Sequence, residues 1–340
     1  MINLPKIGFG TFGIGGYNKK DTDREKLYLD ILETALIEGI VFFDTAENYA
    51  SGYSETLLGK AVCDVRDDII IATKISPENL LSSLLIEKSI NDSLGRLNTD
   101  YIDIYQVHWP HPKSDIKVLV DVLQKAIKEE KIRYVGVCNY SSTQVYEFDK
   151  YFGDCFISVQ NEYNLIDNTS LYNNINNKHY IAYSPLKHFK DISKRFYNYL
   201  DHICNTYDIS FPQLILSWLM YQNIIPIFTS LNKDHIKNNL HVFNSNFPTI
   251  SPQDLIDITS ACQTNVKCLR IDEIVIDNNE TLKFNPSPEE LRLFIEKGIS
   301  LKPIKVKKIE GKNKFILVEG LSRYLAYREM ITVPSIILGA

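Results

Sequence analysis

Residues 42–62 read FFDTAENYASGYSETLLGKAV. An apolar run reaches Asp44 and stops there, and Tyr49 follows in the loop after Thr45-Ala46-Glu47-Asn48. The next apolar run, Ile69-Ile70-Ile71-Ala72-Thr73, closes on Lys74. The one after it, Tyr101-Ile102-Asp103-Ile104-Tyr105-Gln106-Val107, closes on His108. Short apolar runs that alternate with helical stretches argue for parallel strands in an α/β arrangement. If the strands close into a barrel, residues at their C-terminal ends converge on one mouth, where catalytic groups sit. Asp44, Tyr49, Lys74 and His108 are therefore candidates for a single site.

Working outward, the alternation holds to about residue 245. Candidate strands are Lys6–Phe9, Ile40–Phe43, Ile69–Thr73, Ile102–Val107, Tyr134–Val137, Ile157–Gln160, Ile181–Tyr183 and Ile225–Phe228. Eight strands are what a closed (β/α)8 TIM barrel requires. Helical spacing covers Glu25–Glu38, Ser82–Leu97, Val118–Glu129 and Phe211–Tyr221. Ser141 and Ser142 are placed to cap a helix after the fifth strand. Asn244–Thr249 reads as a linker and Ser251–Cys262 as a last helix, which assigns residues 1–262 to the barrel. Residues 263–340 then form a small α+β domain. It holds an extended Ile271–Ile276, a helix over Ser287–Gly298 with Pro288 in its first turn, strands Pro303–Ile309 and Phe315–Glu319, a helix over Leu321–Met330 and a strand over Val333–Leu338.

The four strand-end residues suit carbonyl reduction. That reaction needs a proton donor and a group that polarises the oxygen, in addition to a hydride. A tyrosine is a weak acid, with a pKa of about 10. A buried ammonium beside it should lower that value, so Lys74 is expected to activate Tyr49, with Asp44 holding Lys74 charged. His108 is expected to donate to the substrate oxygen, and Tyr49 to act as general acid for reduction and base for oxidation.

FFDTAENYASGYSETLLGKAV, IIIATKI (69–75) and YIDIYQVHWP (101–110) together resemble the aldo-keto reductases. The resemblance implies a (β/α)8 barrel, a nicotinamide cofactor (NADP or NAD) and a small carbonyl or alcohol substrate. It gives Asp44, Tyr49, Lys74 and His108 the roles just described. KIRYVGVCNYS (131–141) resembles the strand that ends in Ser-Asn, here Cys138-Asn139. Gln160 falls at the position that meets the nicotinamide carboxamide, and Tyr183 at the ring that stacks on nicotinamide. Ser184 and Leu186 fall in the pyrophosphate loop. IIPIFTSLNKDHIKNNL (224–240) resembles the adenosine-phosphate segment. There Asn239 matches an adenine contact, and Ser230, Asn232 and Lys233 are candidates for a 2′-phosphate at a helix N-terminus. Thr229 and His235 stand where the family often has Lys and Arg, so the choice between NADP and NAD stays open. Gly8-x-Gly10 resembles the family's opening strand. Trp109, Tyr17, Tyr53, Tyr163 and His188 are candidate pocket walls.

GISLKPIKVKKIEGKNKFILVEGLSRYLAYREMITVPSIIL (298–338) resembles the ParB/sulfiredoxin-like fold. The resemblance implies a nucleotide-phosphate site built from Lys302, Glu319, Gly320, Ser322 and Arg323. Its ligand would be ATP, ADP or CTP with Mg²⁺, and a small-molecule kinase activity would use Glu319 as base. Leu321 stands where a sulfiredoxin needs its cysteine, which argues against sulfinic-acid reduction.

A chain of 340 residues, 44% of them apolar, has room for a barrel plus a module. The net charge of −5 makes nucleic acid an unexpected partner. No charged start followed by an apolar run suggests a signal, and no run of about 18 apolar residues suggests a membrane span. The six cysteines are dispersed without a CxxC pair, as expected for thiols in a reducing cytoplasm, and no metal site is readable in the barrel. The expected protein is thus a cytoplasmic NAD(P)H-dependent oxidoreductase fused to a nucleotide-binding module. The rival is a cofactor-sensing regulator, or a nucleic-acid-associated protein, without turnover.

Overall fold

The computed structural model describes residues 2–168, 177–187, 192–262, 266–276, 287–288, 291–292, 295, 304–310, 314–327 and 332–338. The chain forms two compact units. One comprises Met1–Glu162, Tyr172–Leu186 and Ile209–Thr249; the other comprises Tyr163–Leu171, Lys187–Asp208 and Ile250–Ala340.

The first unit is built on a closed barrel of eight parallel strands. They are β1 Gly8–Gly10, β2 Phe42–Asp44, β3 Ile70–Ile75, β4 Ile102–Val107, β5 Ile132–Cys138, β6 Phe156–Glu162, β7 His179–Tyr183 and β8 Ile224–Phe228. Each pairs with its neighbour in sequence, and β8 closes on β1 through Gly8 with Ile227 and Phe9 with Phe228. Leu4, Phe42, Ala72, Ile104, Ile157, Ile181, Ile225 and Ile227 fill the barrel core. Full burial of such side chains stabilises by about 1.5–3 kcal/mol each. Gly8 makes the filling possible, because a Cβ there would stand 2.6 Å from Phe42 and 2.9 Å from Ile227.

Around the strands run α1 Glu25–Ile37, α2 Tyr53–Val62, α3 Ser83–Leu97, α4 Ile116–Lys128, α5 Ser142–Phe152, α7 Phe211–Tyr221 and α8 Lys233–Leu240. The second unit holds α6 Lys194–Tyr207 and α9 Pro252–Ala261. Capping sets several starts. Ser141 caps α5 in a reciprocal box with Gln144, and Ser210 caps α7 in the same way with Gln213. Helix α2 was not anticipated from the sequence. Its buried face includes Ser54 and Glu55, which blurs the apolar period.

The second unit also carries a five-stranded mixed sheet in the order β10-β12-β11-β13-β9. Here β9 is Val266–Arg270, β10 Ile274–Val275, β11 Ile304–Lys308, β12 Phe315–Glu319 and β13 Thr332–Leu338, with a short helix α10 at Leu321–Ala326. Leu269, Ile274, Ile304, Val306, Phe315, Tyr324 and Tyr327 form its core. The run Ile271–Ile276 is not uniformly extended: Ile271–Glu273 form a 3₁₀ turn and only Ile274–Val275 pair. Most of the helix expected over Ser287–Gly298 lies outside the described residues, as do Lys302, Pro303 and His188.

Candidate active site

Asp44 is the last residue of β2, Lys74 lies one residue before the end of β3, and His108 follows β4. Lys74 is 0% exposed and Asp44 2%. The Lys74 ammonium donates to Asp44 Oδ1, to the Thr45 carbonyl at 2.7 Å and to the Tyr49 hydroxyl at 3.4 Å. The other Asp44 oxygen accepts from Gln160 at 2.6 Å and from Gln106 at 3.2 Å. A buried ion pair is tolerable only when its remaining valences are met in this way. Burial acts against the Lys74 charge, but Asp44 and Tyr49 outweigh it and raise its pKa.

Tyr49 stands on a constrained turn. Ala50 and Ser51 adopt left-handed backbone, at φ 49° and 56°, and Gly52 follows at φ 85°. Such conformations in non-glycine residues cost about 1–3 kcal/mol each and persist only where the surroundings fix them. The Ala50 N–H donates to Tyr17 O at 3.0 Å. Earlier in the same loop, the Glu47 carboxylate accepts from the Ser76 N–H and from Asn79 Nδ2. Burial pushes the Tyr49 phenol up to about 12, with the Lys74 charge acting in the opposite direction. Lys74 thus lowers the phenol as expected, but desolvation is the larger effect and the net shift is upward.

The His108 ring lies 5.8 Å from the Tyr49 ring, edge to face. Burial, and then the Lys74 charge, hold its pKa well below the ordinary 6.5, so near neutrality it is uncharged. Its Nδ1 is buried without a hydrogen-bond partner. Asn139, at φ 61°, donates to the His108 carbonyl at 2.9 Å and accepts from the Tyr183 hydroxyl at 2.9 Å. Gln160 is buried and engages Asp44. Asn139, Gln160 and Tyr183 are thus joined to the Asp44–Lys74–Tyr49–His108 group by hydrogen bonds. A neutral imidazole, fixed amides and a partly exposed tyrosine ring fit a polar heteroaromatic group such as nicotinamide.

The remaining candidates lie further along the strand ends. Ser184, at φ 51°, and the half-buried Leu186 follow β7. After β8, the Thr229 hydroxyl donates to Gly10 O, and Ser230 Oγ accepts from Asn232 N at 3.1 Å. Asn232 caps α8, accepting from Asp234 and His235. Lys233 is ion-paired with Asp30 at 3.5 Å, and Asn239 is buried on α8.

Of three further residues near the site, Gln106 and Phe12 carried no reading from sequence, and Cys138 was read only as standing where the resembled strand has Ser. Gln106 and Cys138 belong to the buried hydrogen-bond network, with the Cys138 thiol donating to Gln106 Oε1 at 3.5 Å. The inward alternation Ile104, Gln106, His108 was the available signal for Gln106. Phe12, 55% exposed, sets its ring 5.2 Å from Tyr49 and 5.4 Å from Tyr17. Tyr53, a candidate wall residue, is instead buried and donates to Glu25.

In the second unit, Gly320 takes φ 99° between β12 and α10. A Cβ there would meet Arg323 Nη2 at 2.9 Å, so glycine lets Arg323 fold back over the turn. Glu319 pairs with Arg323 at 3.5 Å, Lys187 at 3.1 Å and Lys305 at 3.5 Å. Lys305, 1% exposed, also lies 3.7 Å from Asp167. Ser322 is half-buried on α10.

Among the described residues no group of His, Cys, Asp and Glu is arranged to hold a metal. None of Cys63, Cys138, Cys155, Cys204 and Cys262 is in a disulfide. No helix among them is long and apolar enough to cross a membrane.

A model described as the aldo/keto reductase family matches residues 6–261. Aldo-keto reductase YhdN of Bacillus subtilis is 39% identical over 156 residues, 43% of this chain and 47% of that protein. Methylglyoxal reductase YeaE of Escherichia coli is 28% identical over 253 residues, 71% of this chain and 86% of that protein. The match to YhdN thus spans just under half of that relative. Among solved structures, the thermostable aldo-keto reductase Tm1743 in complex with the inhibitor epalrestat superposes with a TM-score of 0.71 at 28% identity, covering 76% of this chain and 95% of that one.

Proposed function

The chain belongs to the aldo/keto reductase family, and on that footing we infer that residues 1–262 reduce the carbonyl group of a small metabolite with NADPH or NADH. One observation carries the reading: the Tyr49 hydroxyl lies 3.4 Å from a buried ammonium that is itself neutralised by Asp44, beside an uncharged His108. When bound, the reduced nicotinamide supplies the hydride. Asn139, Gln160, Tyr183, Ser184 and Leu186 would hold its nicotinamide and pyrophosphate end. Ser230, Lys233 and Asn239 would hold the adenosine end.

The chain's own residues handle the proton. Neutral His108 donates one N–H to the carbonyl oxygen and sets its direction. Tyr49 transfers its phenolic proton to that oxygen as negative charge develops there, a contribution of roughly 10²–10⁴-fold. The phenolate left behind faces the Lys74 ammonium, which stabilises it. A phenol pushed up to about 12 keeps its proton near neutrality, as a proton donor must. The protein named methylglyoxal reductase among the relatives makes small oxoaldehydes the first substrates to try. The test is fluorescence titration with NADPH and NADH, followed by turnover with methylglyoxal and simple aldehydes. Absence of nicotinamide binding would remove the proposal.

For residues 263–340 we propose a ParB/sulfiredoxin-like module that binds a nucleotide such as ATP, ADP or CTP, with Mg²⁺. Its support is the strand–Gly320–helix turn with Arg323 folded over it, beside Glu319, Ser322 and the buried Lys305. Titration with each nucleotide, on the full chain and on Arg323→Ala, tests it. Equal binding by both would move the site elsewhere.

A further inference from the structure

The Asp44 carboxylate is almost wholly buried, and its two oxygens are served differently. Oδ1 meets Lys74; Oδ2 meets two amides, Gln160 and Gln106. Gln160 already has a proposed role toward the cofactor. Gln106 has none, although it is 0% exposed and stands in register with Lys74 on the neighbouring strand.

An amide serves a carboxylate only when its NH₂ end, not its oxygen, points at it. One contact fixes Gln106 that way round, and one glycine makes room for it. The Cys138 thiol donates to Oε1, which claims the oxygen end. Gly136, paired with Gln106 across the β4–β5 edge, leaves space for its stem: a Cβ there would stand 3.0 Å from Gln106 Cγ and 2.2 Å from Ser158 Oγ. The line Cys138 → Gln106 → Asp44 → Lys74 → Tyr49 therefore runs from β5 to the phenol without leaving the interior.

We propose that Gln106 is a positioning residue for the proton donor: oriented by Cys138, it holds the second oxygen of Asp44 so that Lys74 stays directed at Tyr49. The proposal rests on the reading of Tyr49 as proton donor. Without the Gln106 donor, Asp44 keeps more of its charge for Lys74, and Lys74 has less to offer the phenolate. The titratable and charged groups facing this line are Asp44 on β2, Tyr49 after it, Lys74 on β3, His108 after β4 and Cys138 on β5.

The test places a difluorotyrosine at position 49 of the full chain, so that the phenol titrates where the fold is intact. Its ¹⁹F resonance is followed against pH with no cofactor or substrate present. In Gln106→Leu the midpoint is expected to rise by about half a pH unit or more, a fraction of what a hydrogen bond to a charged group is worth because the effect passes through Lys74. Cys138→Val is expected to move it the same way by less, and Cys138→Ser, which keeps a donor, to restore it. Gln106→Glu adds a separate signature. As a neutral acid it can still donate to Asp44, so its reductase rate should be near wild type at low pH and fall as the new carboxyl ionises. An unchanged midpoint in both Gln106→Leu and Cys138→Val, with a Gln106→Glu pH profile like wild type, overturns the proposal. Shifted midpoints in a chain that reduces no carbonyl would instead remove the proposed function and leave the Gln106 network standing.

Discussion

Replacing Lys74 by methionine should cost far more stability than a surface lysine would. Lys74 is 0% exposed, and its removal leaves the Asp44 charge, 2% exposed, with only the two amides of Gln106 and Gln160. Exposed ion pairs are worth about 0–1 kcal/mol. Breaking a buried one by removing a single partner costs about 3–5 kcal/mol, because the other charge stays in a medium that solvates it poorly. At roughly 2–4 °C per kcal/mol for a unit of this size, Tm should fall by about 6–20 °C. The double variant Lys74→Met/Asp44→Asn carries no buried charge and keeps an oxygen for the glutamine amides. It should recover a substantial part of the loss. The pH dependence follows from the direction of the shift. The folded pKa of Lys74 lies above its ordinary 10.5, so its contribution is complete below that value and is lost only as pH rises through the folded one. The gap between wild type and Lys74→Met should therefore be flat from neutral to mildly alkaline pH. Circular dichroism melts of wild type, Lys74→Met, Asp44→Asn and the double variant at several pH values measure all of this. A Lys74→Met loss below about 1 kcal/mol, or a double variant as unstable as the sum of the singles, would refute the reasoning.

Other consequences are open to measurement. His108 is held below its ordinary 6.5, so neutral His108 carries no penalty above that pH and an increasing one as pH falls from there toward the folded value. His108→Gln should lessen that acid loss in urea titrations; an identical slope would count against a buried neutral ring. Gly136→Ala must displace Gln106 or Ser158 and should lose about 1–3 kcal/mol, with reductase activity falling as well. Wild-type activity in a stable Gly136→Ala variant would show that the interior there has slack. Gly59→Ala drives a Cβ to 2.3 Å from the Leu97 carbonyl, where backbone cannot yield cheaply, and should lower Tm without a specific effect on the chemistry.

The barrel was legible because its strand ends speak locally. Asp44, Lys74 and His108 each close an apolar run, so their convergence follows from the alternation of strands and helices alone. Gln106 was passed over inside IDIYQV, since a lone polar residue in a strand gives no hint of a partner sixty-two positions earlier in the chain. The net acidity of Tyr49 was hidden for a related reason: the lowering by Lys74 can be read from sequence, but the degree of burial that outweighs it cannot. Helix α2 escaped notice because Glu55 is buried, held by Thr73 and Arg96 from elsewhere in the fold. In the second unit, β12 matched its expected bounds, while β9 was missed because it pairs only with β13, more than sixty residues away. Local period reports local structure; pairing between distant segments and desolvation emerge only once the chain is closed.

The most direct test of the central claim is NADPH binding and consumption by wild type and Tyr49→Phe, with methylglyoxal and small aldehydes as acceptors. The account predicts equal NADPH affinity in both proteins, and alcohol formed in step with NADPH oxidation by the wild type alone. Turnover by Tyr49→Phe at the wild-type rate would contradict it.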